Sequence, residues 1–294
     1  MNASKVLWSR EAARYVGERD SVFAFPGAAL ELFDKTGGLK VFHAVDAHPA
    51  AHNASLAAAN ADKAEFYPRW LERRIAKELQ LADVILVPSM RTATQMIANG
   101  VDASRVRVLP YGAETGLFRP QELPNVADRP VVLYVGQFSS RKGVASLIEA
   151  AADSPVELWL VGNPFTPSLR SISPPSNIRV IEPLGHADLA RLYNSADAFA
   201  IPTAEDACSL VALEAAAAGL PVYSTIHNGA TEILPKQERL SLGSGSVSEI
   251  RLRLASVPKL SFAERSKNTR AAEHSGLRDW SEYAQAALRE ISLG

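Results

Sequence analysis

Cysteine is nearly absent from this sequence. Of 294 residues, Cys208 is the only one, which rules out an intramolecular disulfide and a cysteine-rich metal site. An excess of one charge is missing too. The formal net charge is −1, so no global basic field points to a nucleic-acid partner. No apolar run approaches the roughly 18 residues that would span a bilayer. The opening "MNASKVLWSREAARYV" lacks the basic-then-apolar order of a secretory signal. A cytoplasmic chain is expected, with peripheral contact at the inner face of the plasma membrane left open. No strand leads into G-x-G-x-x-G and no G-x4-G-K-[ST] occurs, which argues against a nicotinamide dehydrogenase and a P-loop enzyme.

What is present describes a globular α/β protein with room for about two domains. The hydrophobic fraction is 47% and the charged fraction 21%. In the second half, apolar β-branched runs recur at 131–136, 156–162, 178–183, 198–203 and 221–225, several of them separated by helical patterns. Strands without polar alternation, spaced by helices, predict a parallel sheet buried on both faces and a doubly wound topology. The first half reads alike but less fully. Strands are expected at 21–25, 39–45, 82–89 and 105–112, and helices at 54–64, 67–81 and 90–99. Residues 1–19 read as a helix where such a domain would begin with a strand and a glycine turn. "FRPQELPNVADRP" (118–130) is the expected linker. Domains of 1–121 and 122–275 follow, with a closing helix at 276–294.

Two strand-to-helix turns carry the chemistry. "VGQFSSRKG" offers Gly136 for close backbone approach and Arg141 and Lys142 for an anion, with a helix from about Gly143. A diphosphate suits this combination. "EDACSLVALEAAAAGL" sets Asp206 and Glu214 eight positions apart. Ser209 is expected to cap a helix that ends near Ala218, with Gly219 as its left-handed exit. The amides of Cys208, Ser209 and Leu210 would then point to a phosphate or polar substrate, and Glu214 could meet the two hydroxyls of a ribose. Each feature has a plainer reading: a solvated Arg-Lys pair, an exposed helical glutamate, a capping aspartate. Their joint occurrence after buried strands of one sheet favours a site.

In order, "YVGQFSSRKGVASLIEAA", "LARLYNSADAFAIPT", "EDACSLVALEAAAAGLPVYST" and "NGATEIL" resemble the carboxyl-terminal domain of retaining glycosyltransferases of family 4, which have the GT-B fold. "D-x-C-S-L-V-x-L-E" with "RKG" is most similar to the branch that includes lipopolysaccharide core glucosyltransferases. "LADVILVPSMRTATQMIANG" and "AAEHSGLRDWSEYAQAAL" extend the resemblance to both ends. It implies two Rossmann-like domains, the first incomplete, with a UDP- or GDP-linked sugar donor between them and a cell-envelope glycan or glycolipid as acceptor. It implies no metal and no cofactor. Arg141 and Lys142 would hold the donor diphosphate, Asp206 the donor sugar, Glu214 the ribose, and the 208–210 amides sugar and phosphate. Cys208 would be a packing residue.

The sequence departs from the family in three places. Asp206 replaces the usual glutamate, with Glu205 as the alternative acid. Gln137 stands where many members have arginine. The glycine-rich first loop has no counterpart.

In "VFHAVDAHPAAHN", His43, Asp46, His48 and His52 are expected to face the cleft, with His48 near the acceptor or sugar as a second catalytic candidate. His48-x3-His52 lacks a third ligand for a metal. His186 and His227 read as structural. "YPRWLERRIAKELQ" sets Arg69, Arg73, Arg74 and Lys77 beside Trp70 and Leu71, a basic helix for anionic lipid or a solvated face. The loop 163–177 is expected to take part in donor and acceptor choice. The rival reading is a non-catalytic nucleotide-sugar-binding subunit that needs a separate amino-terminal partner.

Overall fold

The computed structural model describes residues 2–123, 127–163, 175–235 and 239–292. The specificity loop expected at 163–177 lies largely outside them, as do 124–126 of the expected linker.

Two parallel sheets organise the chain. The first has the order β1-β2-β3-β4, from Val22–Ala24, Lys40–His43, Val84–Val87 and Val106–Val108. The second has six strands in the order β10-β9-β8-β5-β6-β7. Its members are β5 (Val131–Val135), β6 (Glu157–Val161), β7 (Ile178–Ile181), β8 (Ala198–Ile201), β9 (Val222–Ser224) and β10 (Arg239–Ser241). Every residue of β3, β5 and β8 is buried, as expected for strands covered on both faces. Each sheet with its helices is a Rossmann-like unit, the first with four strands among the described residues.

Strand order fixes where a ligand can sit. From β5 the chain winds outward through β6 and β7, then returns to the other side of β5 as β8. That reversal opens a crevice between the turns that leave β5 and β8. The first sheet runs without reversal among its described strands.

The helices are α1 (Asn2–Ala12), α2 (Leu30–Lys35), α3 (Pro49–Ala58), α4 (Arg69–Leu81), α5 (Met90–Ala98) and α6 (Val144–Ala152) in order, then α7 (His186–Ser195) and α8 (Leu210–Ala217). After them come α9 (Val247–Leu254), α10 (Phe262–His274) and α11 (Trp280–Ser292). The alanine content of α8 has a packing cause. The helix lies between its sheet and α10, where Thr269 Oγ1 donates to the Ala217 carbonyl at 2.9 Å. A Cβ on Gly219, whose φ is +80°, would stand 2.3 Å from the Arg265 carbonyl oxygen. Small side chains permit that approach.

Three expectations are corrected. The helix placed at 54–64 is α3, which starts at Pro49 and ends at Ala58. His48 caps it and Pro49 fills its first turn, where the missing N–H costs nothing. The helix read over 1–19 stops at Ala12 and passes through a short 3₁₀ turn, Ala13–Tyr15. The basic face of α4 is narrower than read. Arg74 turns inward to pair with Glu31 and Glu78, and Leu71 is buried, leaving Arg69, Trp70, Arg73 and Lys77 outward.

The last helix returns to the first half. The Tyr283 hydroxyl meets His43 Nε2 at 2.7 Å, and Ala113 N donates to the Arg278 carbonyl at 2.9 Å. Asp197 ties the second sheet together from below. Its carboxylate accepts from Val131 N and Leu260 N, each at 2.8 Å, and it is fully buried. Asp197→Ala leaves those amides unpaired and should lower unfolding stability by about 2–4 kcal/mol, read from the urea midpoint.

Candidate functional site

The turns leaving β5 and β8 are bonded to each other. The Arg141 carbonyl accepts from Ala204 N at 2.7 Å and Thr203 Oγ1 at 3.1 Å. Its guanidinium donates through Nη1 to the Glu205 carbonyl at 2.9 Å. Lys142 Nζ forms an ion pair with Asp206. Close approach requires glycine at 143: φ is +69°, and a Cβ there would lie 2.2 Å from the Pro202 carbonyl oxygen. The structure thus brings Arg141, Lys142 and Asp206 together, with Asp206 fixed further by backbone bonds to His227 and Gly229.

The start of α8 departs from the expected cap. Ser209 holds the capping position, but its hydroxyl makes no capping bond and is buried without a partner. Asn228 does the neighbouring work, its Oδ1 accepting from Ser209 N at 3.2 Å and Ala230 N at 3.1 Å. The Ser209 amide is therefore committed inside the protein. Leu210 is 41% exposed. Cys208 is buried, and burial chiefly, then the nearby Asp206, pushes its thiol up. It stays a neutral packing group at physiological pH.

The turn leaving β5 also borders a cavity of about 360 Å³, at the carboxyl ends of β5, β6 and β7. Gly136, Gly162, Asn163, Leu184 and Leu189 are among its walls. Gly162 has φ +148°, and a Cβ on it would sit 1.9 Å from the Gly136 carbonyl oxygen, so this wall is bare backbone. Val135, Val161, Leu184 and Leu189 add apolar side chains. Of the candidate residues only Gly136 lines it; Lys142 and Glu214 do not. Helix α7 links slot and Glu214: Leu189 lines the slot, and one turn later the Tyr193 hydroxyl stands 3.1 Å from Glu214 Oε2.

Glu205, the alternative acid, has a different task. It is 1% exposed and reaches away from Asp206 into the first half. One oxygen accepts from Ser55 Oγ and Arg91 Nη2, each at 2.9 Å, and Gln95 Nε2 at 3.2 Å. Nearby, Glu232 accepts from Met90 N and Arg91 N at the start of α5, and Ser89 Oγ donates to the Ala207 carbonyl at 2.8 Å. Glu65 accepts from Ser140 N at 2.9 Å and Arg141 N at 3.1 Å. The halves therefore meet across a polar seam.

The first-half histidines separate. His52 is the one at the seam: its ring is 4.9 Å from that of Tyr67, and Asp46, Arg141 and Glu205 all act on its charge. Burial nevertheless dominates and lowers its pKa. The Tyr67 hydroxyl donates to Asp46 at 3.0 Å. His48 does not join this group. Its Nδ1 accepts from Ala50 N at 3.3 Å, and it borders a small cavity of about 80 Å³ lined only by first-half residues, including Gln80, Gly100 and Arg105. His43 is buried against Tyr283. Among the described residues, no three His, Cys, Asp or Glu side chains gather as metal ligands.

Glu65 and Glu205 were missed as seam residues because their partners lie 75 to 150 positions away in the chain. Charge alone gave no signal.

Known proteins align with this geometry. Residues 129–251 match the model of the family described as glycosyl transferases group 1. D-inositol 3-phosphate glycosyltransferases of Mycobacterium bovis and Mycobacterium tuberculosis are 28% identical over 236 residues, covering 70% of this chain and 48% of theirs. The chain thus spans about half the length of these curated relatives. Among solved structures, HepE of Anabaena in complex with UDP-glucose is similar at a TM-score of 0.75 and 17% identity, over 97% of this chain and 82% of that one. WaaG, a glycosyltransferase involved in lipopolysaccharide biosynthesis, is similar at 0.70 and 20%, over 100% and 83%. These identities show a shared GT-B fold.

Burial raises the Glu214 carboxyl from 4.5 to about 7, against the opposing bond from Tyr193. A folded pKa above the unfolded one gives stability that is full below pH 4.5 and lost as pH rises through about 7. Glu214→Gln should therefore raise the melting temperature at pH 8, by about 1–3 kcal/mol of stability, with the gain shrinking towards pH 5.

Proposed function

We propose that this chain is a retaining glycosyltransferase that moves a sugar from a UDP- or GDP-linked donor to a cell-envelope glycan or glycolipid. One observation carries the reading: the turns leaving β5 and β8 meet at the sheet's reversal, bringing Lys142 beside Asp206 in a turn whose first residues, Gly136 and Gln137, line an apolar slot. The slot takes the base, Glu214 the ribose, Arg141 and Lys142 the diphosphate, and Asp206 the donor sugar. The match of 129–251 to group 1 glycosyl transferases supports this assignment.

The chemistry asks little covalent work of the protein. The acceptor hydroxyl attacks the anomeric carbon on the face the diphosphate leaves, and the departing phosphate oxygen takes the hydroxyl proton. Cationic side chains stabilise the charge that develops on that oxygen, so no protein nucleophile and no metal are required. Closure of the polar seam keeps water from the donor sugar. His48, bordering a first-half cavity, is a poor match for the acceptor; His52 and Asp46 are better placed. Arg69, Trp70, Arg73 and Lys77 on α4 offer a surface for anionic lipid beside that acceptor side. Among the described residues no helix is long and apolar enough to cross a membrane.

A second reading has one observation in its favour. The four-stranded first sheet has no reversal of its own, which suits a nucleotide-sugar-binding subunit working with a separate amino-terminal partner. Turnover by the isolated chain excludes it.

Mixing the chain with UDP- and GDP-sugars and measuring nucleotide release tests the main reading. Lys142→Ala and Asp206→Ala should each lower turnover by about 100-fold or more, and Glu214→Ala should raise KM chiefly. Donor binding that survives Asp206→Ala and Glu214→Ala unchanged would falsify the site.

A further inference from the structure

In the turn between β5 and α6, two consecutive backbone amides hold a carboxylate. Glu65 belongs to a short 3₁₀ turn of the first half, Lys63–Glu65, set by the Asp62 cap on Ala64 N at 2.9 Å. One of its oxygens accepts from Ser140 N and the other from Arg141 N, at 2.9 and 3.1 Å. Two oxygens of one anion on two successive amides is also how a phosphate is cradled by a loop.

Neighbouring positive groups are likewise engaged from within. The Arg141 guanidinium donates to the Glu205 carbonyl, and Lys142 pairs with Asp206. A diphosphate arriving here meets donors already taken. It carries more charge and more acceptor oxygens than a carboxylate, and it makes the stronger charge-assisted bonds.

We propose that the Ser140 and Arg141 amides are a phosphate-binding pair and that Glu65 occupies them until a donor phosphate displaces it. The inference rests on the nucleotide-sugar reading and adds a consequence. Glu65 is also a pin between the halves, so donor entry parts the seam at this point before it closes again over the bound donor. The rest of the seam is built to let go. Arg91 Nε, Gln95 Oε1, Glu205 Oε1 and His227 Nδ1 are buried there without partners, and each gains when the seam admits water or a ligand.

Titration calorimetry on the full chain, with UDP and separately with inorganic pyrophosphate, tests the pair. Glu65→Ala empties the amides and should tighten both ligands by about 10-fold. Glu65→Gln keeps the shape, removes the charge, and should give a smaller gain. Circular dichroism confirms that each variant is folded. Wild type and both variants binding UDP alike, within twofold, overturns the plug and leaves the donor site standing. A gain for pyrophosphate with no UDP binding by any form keeps the plug and removes the nucleotide-sugar reading. Weaker binding by both variants makes Glu65 part of the ligand site and overturns the proposal.

Discussion

The bond between two turns, from Arg141 and Lys142 to residues 203–206, is the constraint on which the site depends. A doubly wound sheet brings the ends of β5 and β8 side by side for topological reasons alone. Side chains then exploit that adjacency: one backbone carbonyl accepts two bonds, a guanidinium spans the turns, and an ammonium meets a carboxylate. Gly143 permits the contact by presenting no Cβ to Pro202. Fold and chemistry share these few residues, so changes here affect both.

The seam between the halves has a different character. Where α11 returns, Tyr283 joins the continuous apolar core that also holds Val41 and Leu86. Across the cleft, the links are carboxylates on amides and a buried glutamate, with several polar atoms left unpaired. Each such orphan costs about 1–3 kcal/mol, comparable to what a neighbouring hydrogen bond returns. None of these polar contacts involves a strand residue of either sheet. That suits the donor entry and water exclusion proposed for this chain.

Much of this was legible in the chain, and the reasons are specific. The strands were readable because buried parallel strands are apolar throughout, as in "VVLYV" and "AFAI". The approach of Asp206 to Arg141 and Lys142 was readable from the two strand-to-helix turns that hold them. The resemblance makes His48 a cleft residue; in the fold it caps α3, whereas His52 lies within the helix. Arg74 misled because its position on a basic helix says nothing of Glu31, which draws it inward. The Ser209 hydroxyl makes no capping bond; its own amide is taken instead by Asn228, nineteen residues on. Glu31 and Asn228 are distant in sequence from the residues they engage, and local pattern carries no record of them.

Hydrogen–deuterium exchange with and without a UDP- or GDP-sugar addresses the central claim most directly. The account predicts added protection in two separate stretches at once, 135–143 and 204–215, together with the slot at 161–163. Protection confined to one turn, or found only in the first sheet, would contradict it.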